Sequence, residues 1–130
     1  MTETSRPSSA AIGLAVFIFT FGPLPAGAAP LPTRVGTCSV TTVKQVEPRL
    51  EGMPGSGSAI AYQNGGYQVS YDTIPAIEAS RPGDPVRLCL VSVPRNCPPG
   101  DMRGRVYRAT NLRTKGTWTA ADAEHSCGGA

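Results

Sequence analysis

Four cysteines, Cys38, Cys89, Cys97 and Cys127, in a chain of 130 residues limit the fold more than any other feature. Their meaning depends on compartment, because disulfides persist outside the reducing cytoplasm. The start of the chain points to export. Met1 to Ser9 is polar and carries one cation, Arg6, and Ala10 to Phe21 is an uncharged apolar run. Gly22, Pro23 and Pro25 follow, then Ala26-Gly27-Ala28-Ala29, where Ala26 and Ala28 fit an A-x-A cleavage site. These are the parts of a secretory signal, with the cut expected after Ala28. The apolar run is far shorter than the roughly 20 residues of a membrane-spanning helix, so no stable membrane insertion is expected. No cysteine follows the cut to take a lipid, and no twin-arginine pair precedes it. The reading is therefore a signal peptide over 1–28 and a single domain over 29–130, periplasmic or secreted.

An even cysteine count in a short exported chain predicts two disulfides. Structural metal sites use close pairs such as C-x-x-C, and separations of 51, 8 and 30 residues offer none. No metal or cofactor is expected. Of the three pairings open to four cysteines, Cys38–Cys89 with Cys97–Cys127 is preferred. It would tie strand to strand and a loop to the C-terminal tail.

Thirteen prolines and 15 glycines favour short elements joined by turns over long helices. Thr33 to Val46, rich in Val and Thr, reads as a first strand, and Glu47 to Gly57 as a loop. Asn64-Gly65 between Ala59–Gln63 and Gly66–Tyr71 predicts a hairpin with a two-residue type I′ turn. That register sets Tyr62 opposite Tyr67 and Ile60 opposite Val69. Side chains alternate along a strand, so Ile60, Tyr62, Tyr67, Val69 and Tyr71 would share one face. Val86 to Val93 reads as a strand apolar on both faces, hence central and covered. Arg105 to Thr110 and Thr117 to Thr119 complete the set. Thr119 followed by Asp122 resembles a capping box, which predicts a helical turn over Ala120 to His125. The expected fold is all-β: a small antiparallel barrel or sandwich of five or six short strands, disulfide-stapled, with a short C-terminal helical turn.

Few residues offer chemistry. His125 is the only histidine, it lies near the tail, and no G-x-S-x-G nucleophile motif accompanies it. The carboxylates are scattered and show no catalytic pair. No catalytic residue is assigned, and the protein is not expected to be an enzyme. The strongest charge feature is the stretch from Arg95 to Lys115. It holds Arg95, Arg103, Arg105, Arg108, Arg113 and Lys115 against one anion, Asp101. Such a segment could attract an anionic envelope component or an acidic protein surface. The plainer and favoured reading is that it lines the solvent face of an edge hairpin and deters strand-to-strand aggregation. Nucleic acid is an unsuitable partner for an exported chain with few stacking aromatics. Cys97-Pro98-Pro99-Gly100-Asp101 reads as a rigid exposed loop, suited to binding or to placing a disulfide. Trp118, the lone tryptophan, is expected in the core.

Two stretches, Tyr62 to Tyr71 (YQNGGYQVSY) and Gly83 to Ala130, resemble a family of small secreted proteins of rhizobia-like bacteria. The likeness lies in the placement of Cys, Pro and Gly. It implies a bacterial periplasmic or secreted home and carries no function. Ser56-Gly57-Ser58-Ala59-Ile60-Ala61-Tyr62 is similar to the Ser-Gly-Ser/Ala…Tyr loop of bacterial inhibitors of C-type lysozyme, which are small exported β-barrels. Here the tyrosine is displaced and the later Tyr-Trp motif is absent. The expected function is a noncatalytic binding or interaction module of the envelope. Inhibition of lysozyme or another hydrolase is the first alternative, and a small secreted hydrolase the second.

Overall fold

The computed structural model describes residues 2, 4–20, 22 and 29–129. The expected cleavage site around Ala26 and Ala28 lies outside them. Six strands form a closed antiparallel barrel: β1 (Cys38–Pro48), β2 (Ser58–Tyr62), β3 (Tyr67–Ser70), β4 (Pro85–Ser92), β5 (Val106–Asn111) and β6 (Thr117–Ala121), in the order β1-β2-β3-β6-β5-β4. The all-β reading holds, and of its two architectures the barrel is the one formed.

Closure depends on β1. Its first half pairs with β4 from Cys38↔Cys89 to Thr42↔Pro85, and its second half pairs with β2 from Val43↔Tyr62 to Pro48↔Ser58. A shift in register between Val43 and Gln45 lies just past the changeover, within the β2 ladder. An irregularity of this kind bends a strand and raises its twist, which lets one strand turn the barrel's corner. At the opposite side β3 and β6 meet through the single pair Val69↔Ala121. The core is filled by Val43, Ile60, Tyr62, Val86, Leu88, Leu90, Tyr107, Ala109 and Trp118, all buried, with Ile77 added from a short helix α1 (Pro75–Glu78). Trp118 is in the core as expected. Helix α1 is too short for any periodic signal; Pro75 at its first position is the one local cue.

The hairpin is built in a different register. Ala61 faces Tyr67 and Ile60 faces Gln68, one residue away from the expected pairing. The loop has three residues, Gln63-Asn64-Gly65, with the Gly65 amide donating to the Tyr62 carbonyl at 3.1 Å and Gly65 alone at positive φ (84°). A type I′ turn needs positive φ at both central residues. Asn64 stays out of that region because its groups are engaged elsewhere: Oδ1 accepts the Gly66 amide, Nδ2 donates to the Ala29 carbonyl, and its amide donates to Thr41 Oγ1. A one-residue slip exchanges the faces of a strand. Gln68 therefore enters the barrel, while Tyr67 and Tyr71 face solvent.

Three further expectations are corrected. β1 begins at Cys38, because Arg34 to Thr37 forms a turn closed by the Thr37 amide on the Arg34 carbonyl. β4 is central but covered on one face only: Val86, Leu88 and Leu90 are buried, whereas Arg87 and Val91 are exposed. No helical turn forms over 120–125. Ala120 and Ala121 extend β6 opposite Tyr107 and Val106, and Asp122 Oδ1 accepts the amides of Gly104 and Arg105. The acidic side chain that suggested a helix cap holds the start of β5 instead. Both preferred disulfides are formed, Cys38–Cys89 across β1 and β4 and Cys97–Cys127 from the β4–β5 loop to the tail.

Candidate functional site

The basic stretch is divided by the fold. Arg113 is bound to the buried Asp84 by two hydrogen bonds, Nε to Oδ1 at 2.6 Å and Nη2 to Oδ2 at 2.9 Å. Asp84 also accepts from Asn111 Nδ2 and the Arg81 amide, and the Arg113 contacts above all hold its carboxyl well below the usual carboxylate range. Arg103 makes the same fork with Asp101, whose Oδ2 further accepts the Gly128 amide. These two arginines are spent on loop structure. Arg105 turns its guanidinium to Met102 Sδ at 3.8 Å, Arg95 is exposed in the β4–β5 loop, and Lys115 is exposed in the β5–β6 turn at φ 65°. In a closed barrel β5 pairs on both sides, so there is no edge for these cations to guard.

Arg108 is different. Its register partners are Cys89 on β4 and Thr119 on β6, and it projects from the outer wall of the barrel. On the next rung Arg87 of β4 faces Val40 of β1 and Thr110 of β5. Arg87 and Arg108 are thus diagonal neighbours on one face, where long side chains come within reach of each other. The Cys38–Cys89 disulfide adjoins both, since Cys89 faces Arg108 across the ladder and Arg87 Nη2 donates to Cys38 Sγ at 3.6 Å. Cys38, Arg87, Cys89, Arg108 and Thr110 line an open cavity of about 320 Å3. The ion pairs among the described residues are Arg49–Glu124, Arg103–Asp101 and Arg113–Asp84, so neither wall arginine is neutralised.

Of the anticipated cations, then, only Arg108 belongs to this site. Arg87 was missed because clustering was sought along the chain, and Arg87 lies outside the stretch from 95 to 115. The available signal was alternation: in Pro85 to Ser92, Arg87 is the one charged residue and shares a face with Cys89.

The remaining candidates are dispersed. His125 is exposed in the bend after β6. Glu78 accepts the Ser58 hydroxyl, and Glu124 binds Arg49, whose guanidinium also stacks on Tyr71 at 4.2 Å. Among the described residues no group of three potential metal ligands is found. The stretch that carries the likeness to lysozyme inhibitors runs into β2, where Ser58, Ala59, Ile60 and Tyr62 are buried. No protein-family model, curated protein or solved structure matches the chain.

Proposed function

We propose that the protein is an exported, noncatalytic binding module of the bacterial envelope, periplasmic or secreted, whose outer wall takes an anionic envelope component or an acidic protein surface. The observation that carries this reading is the pair Arg87 and Arg108, which line one open cavity with Thr110 and the disulfide and have no ion-pair partner among the described residues. Two guanidiniums at diagonally neighbouring ladder positions raise the local potential, and their planar forks suit carboxylate, sulfate or phosphate oxygens. Rigid strands hold them in place.

Export is supported by two features. Both disulfides fit an oxidising compartment. The described apolar residues between Ile12 and Phe19 are exposed, Ile12 at 90% and Phe17 at 82%, whereas Ala29 is hydrogen-bonded to Val40 and Asn64. A barrel complete without its leader is what removal of that leader requires.

The test is retention on an immobilised polyanion (dextran sulfate) and on envelope extract at two salt concentrations. Binding by the wild type should fall steeply above physiological ionic strength, where the Debye length is about 8 Å. Arg87→Glu with Arg108→Glu should abolish it, while Arg103→Glu with Arg105→Glu should reduce it little. Equal retention by the wild type and the Arg87/Arg108 variant would overturn the reading.

A further inference from the structure

We infer that the Cys38–Cys89 disulfide is exchange-active toward thiols that carry a negative charge, with Arg108 drawing the thiol in and Arg87 receiving the departing Cys38 thiolate. The inference rests on the same two arginines as the binding reading and assigns them a covalent step.

Thiol–disulfide exchange is governed by access to the attacked sulfur, by the supply of thiolate and by how well the leaving sulfur bears its charge. The outer wall meets all three conditions. Cys89 lines the open cavity and lies directly across the ladder from Arg108, so an anion held by Arg108 is delivered to Cys89 Sγ. Cys38 is exposed and its sulfur already accepts from Arg87 Nη2 at 3.6 Å. An adjacent guanidinium lowers a thiol's pKa and so improves it as a leaving group. The second disulfide lacks this arrangement. Cys127 Sγ is 4.0 Å from the Arg95 carbonyl oxygen, and Cys97 shares its cavity with Asp101 as well as Arg105. Among the described residues no guanidinium donates to either sulfur of this second disulfide, so a departing thiolate there has no cation in contact.

A thiolate attacks Cys89 Sγ, the Cys38–Cys89 bond breaks, and its electron pair leaves on Cys38 Sγ beside Arg87. Cys89 then carries the thiol as a mixed disulfide. Either Cys38 thiolate expels it and restores the original bond, or a second thiolate attacks the bound thiol's sulfur. The latter releases the oxidised dimer of the thiol and leaves Cys38 and Cys89 reduced, two electrons having passed to the protein. The barrel survives the change. β1 and β4 remain paired from Cys38 to Thr42, and beyond the cysteines Leu90 exchanges backbone bonds with Gly36 and Thr37 at 2.9 and 3.0 Å. The two sulfurs therefore stay opposite each other, ready to close again.

Reduced glutathione, which is anionic, and cysteamine, which is cationic, are the probes. Reaction with the full mature protein is quenched by alkylation and read by peptide mass mapping, with rates corrected for thiolate fraction. Glutathione should open Cys38–Cys89 faster than cysteamine by about tenfold or more, the scale of electrostatic focusing. It should leave Cys97–Cys127 closed over the same period and appear as a mixed disulfide on Cys89. Arg87→Gln with Arg108→Gln, or 1 M salt, should collapse the preference, and Arg87→Lys with Arg108→Lys should retain most of it. Equal rates for the two probes, a preference that survives removal of both charges, or a mixed disulfide located on Cys38 would overturn the inference. Loss of polyanion binding with the thiol preference intact would sink the binding reading alone.

Discussion

Gln68 shows what one buried side chain can hold. It is fully buried, and its amide is saturated: Oε1 accepts from Tyr62 at 2.6 Å and Trp118 at 2.9 Å, while Nε2 donates to the carbonyls of Tyr107 and Ala120. The bonds reach from β2 and β3 across to β5 and β6, where ladder pairing between β3 and β6 is sparse. Gln68→Leu strands two buried donors at about 1–3 kcal/mol each, so urea unfolding should show a loss of at least about 2 kcal/mol. A neutral outcome would mean that water or repacking takes the amide's place. Asp84 is the acid-sensitive counterpart. Its carboxyl is held below the ordinary value, first by Arg113 and then by Asn111 and the Arg81 amide, with burial working the other way. A depressed carboxyl contributes stability that is present above its unfolded pKa and lost as pH falls through the folded one. Stability should therefore decline as pH drops below about 4, and Asp84→Asn should flatten that slope without removing the share of Asp101.

At the scale of elements, two glycines mark where turn geometry is decided. Gly65 sits at φ 84° in the hairpin loop with open space around it. Gly57 sits at φ 123° directly before β2, and a Cβ there would run into the Ser70 carbonyl oxygen at the end of β3. Gly65→Ala incurs only the left-handed penalty, about 1 kcal/mol. Gly57→Ala adds a clash with backbone to a conformation that side chains rarely adopt, and should cost about 2–3 kcal/mol. Denaturant midpoints for the two variants check the order, and a Gly65 variant weaker than the Gly57 one would contradict the register described for β2 and β3.

Over the whole molecule, the disulfides and the outer wall set stability and behaviour together. The protein should weigh four hydrogens less than its all-thiol form, with Cys38 linked to Cys89 and Cys97 to Cys127 in peptide maps. Closing a loop of 51 residues restricts the unfolded chain by about 4 kcal/mol in the loop-entropy model. Selective opening of Cys38–Cys89 should thus lower the melting temperature while the β signature in circular dichroism persists below it. Loss of that signature on selective opening would show that the β1–β4 ladder cannot hold alone.

The strand content and the locations of most strands were legible in the sequence, because Val, Thr and Tyr alternation and Gly/Pro punctuation act over a few residues. The even cysteine count pointed to two disulfides, and the preferred pairing is the one formed. The register of β3 was beyond reach. Asn64-Gly65 suits either a two- or a three-residue loop, and the choice fell to partners far along the chain: Ala29 and Thr41 for Asn64, Tyr107, Ala120 and Trp118 for Gln68. The fate of Asp122 was settled in the same way, by amides of Gly104 and Arg105 that no local pattern reveals. So was the arginine pair on the outer wall. A run of six cations looked like one site, yet Asp84 and Asp101 neutralise two of them, and Arg108 finds its true neighbour in Arg87 through a strand ladder. Charge along a chain is a property of sequence; charge across a surface depends on which strands the barrel sets side by side.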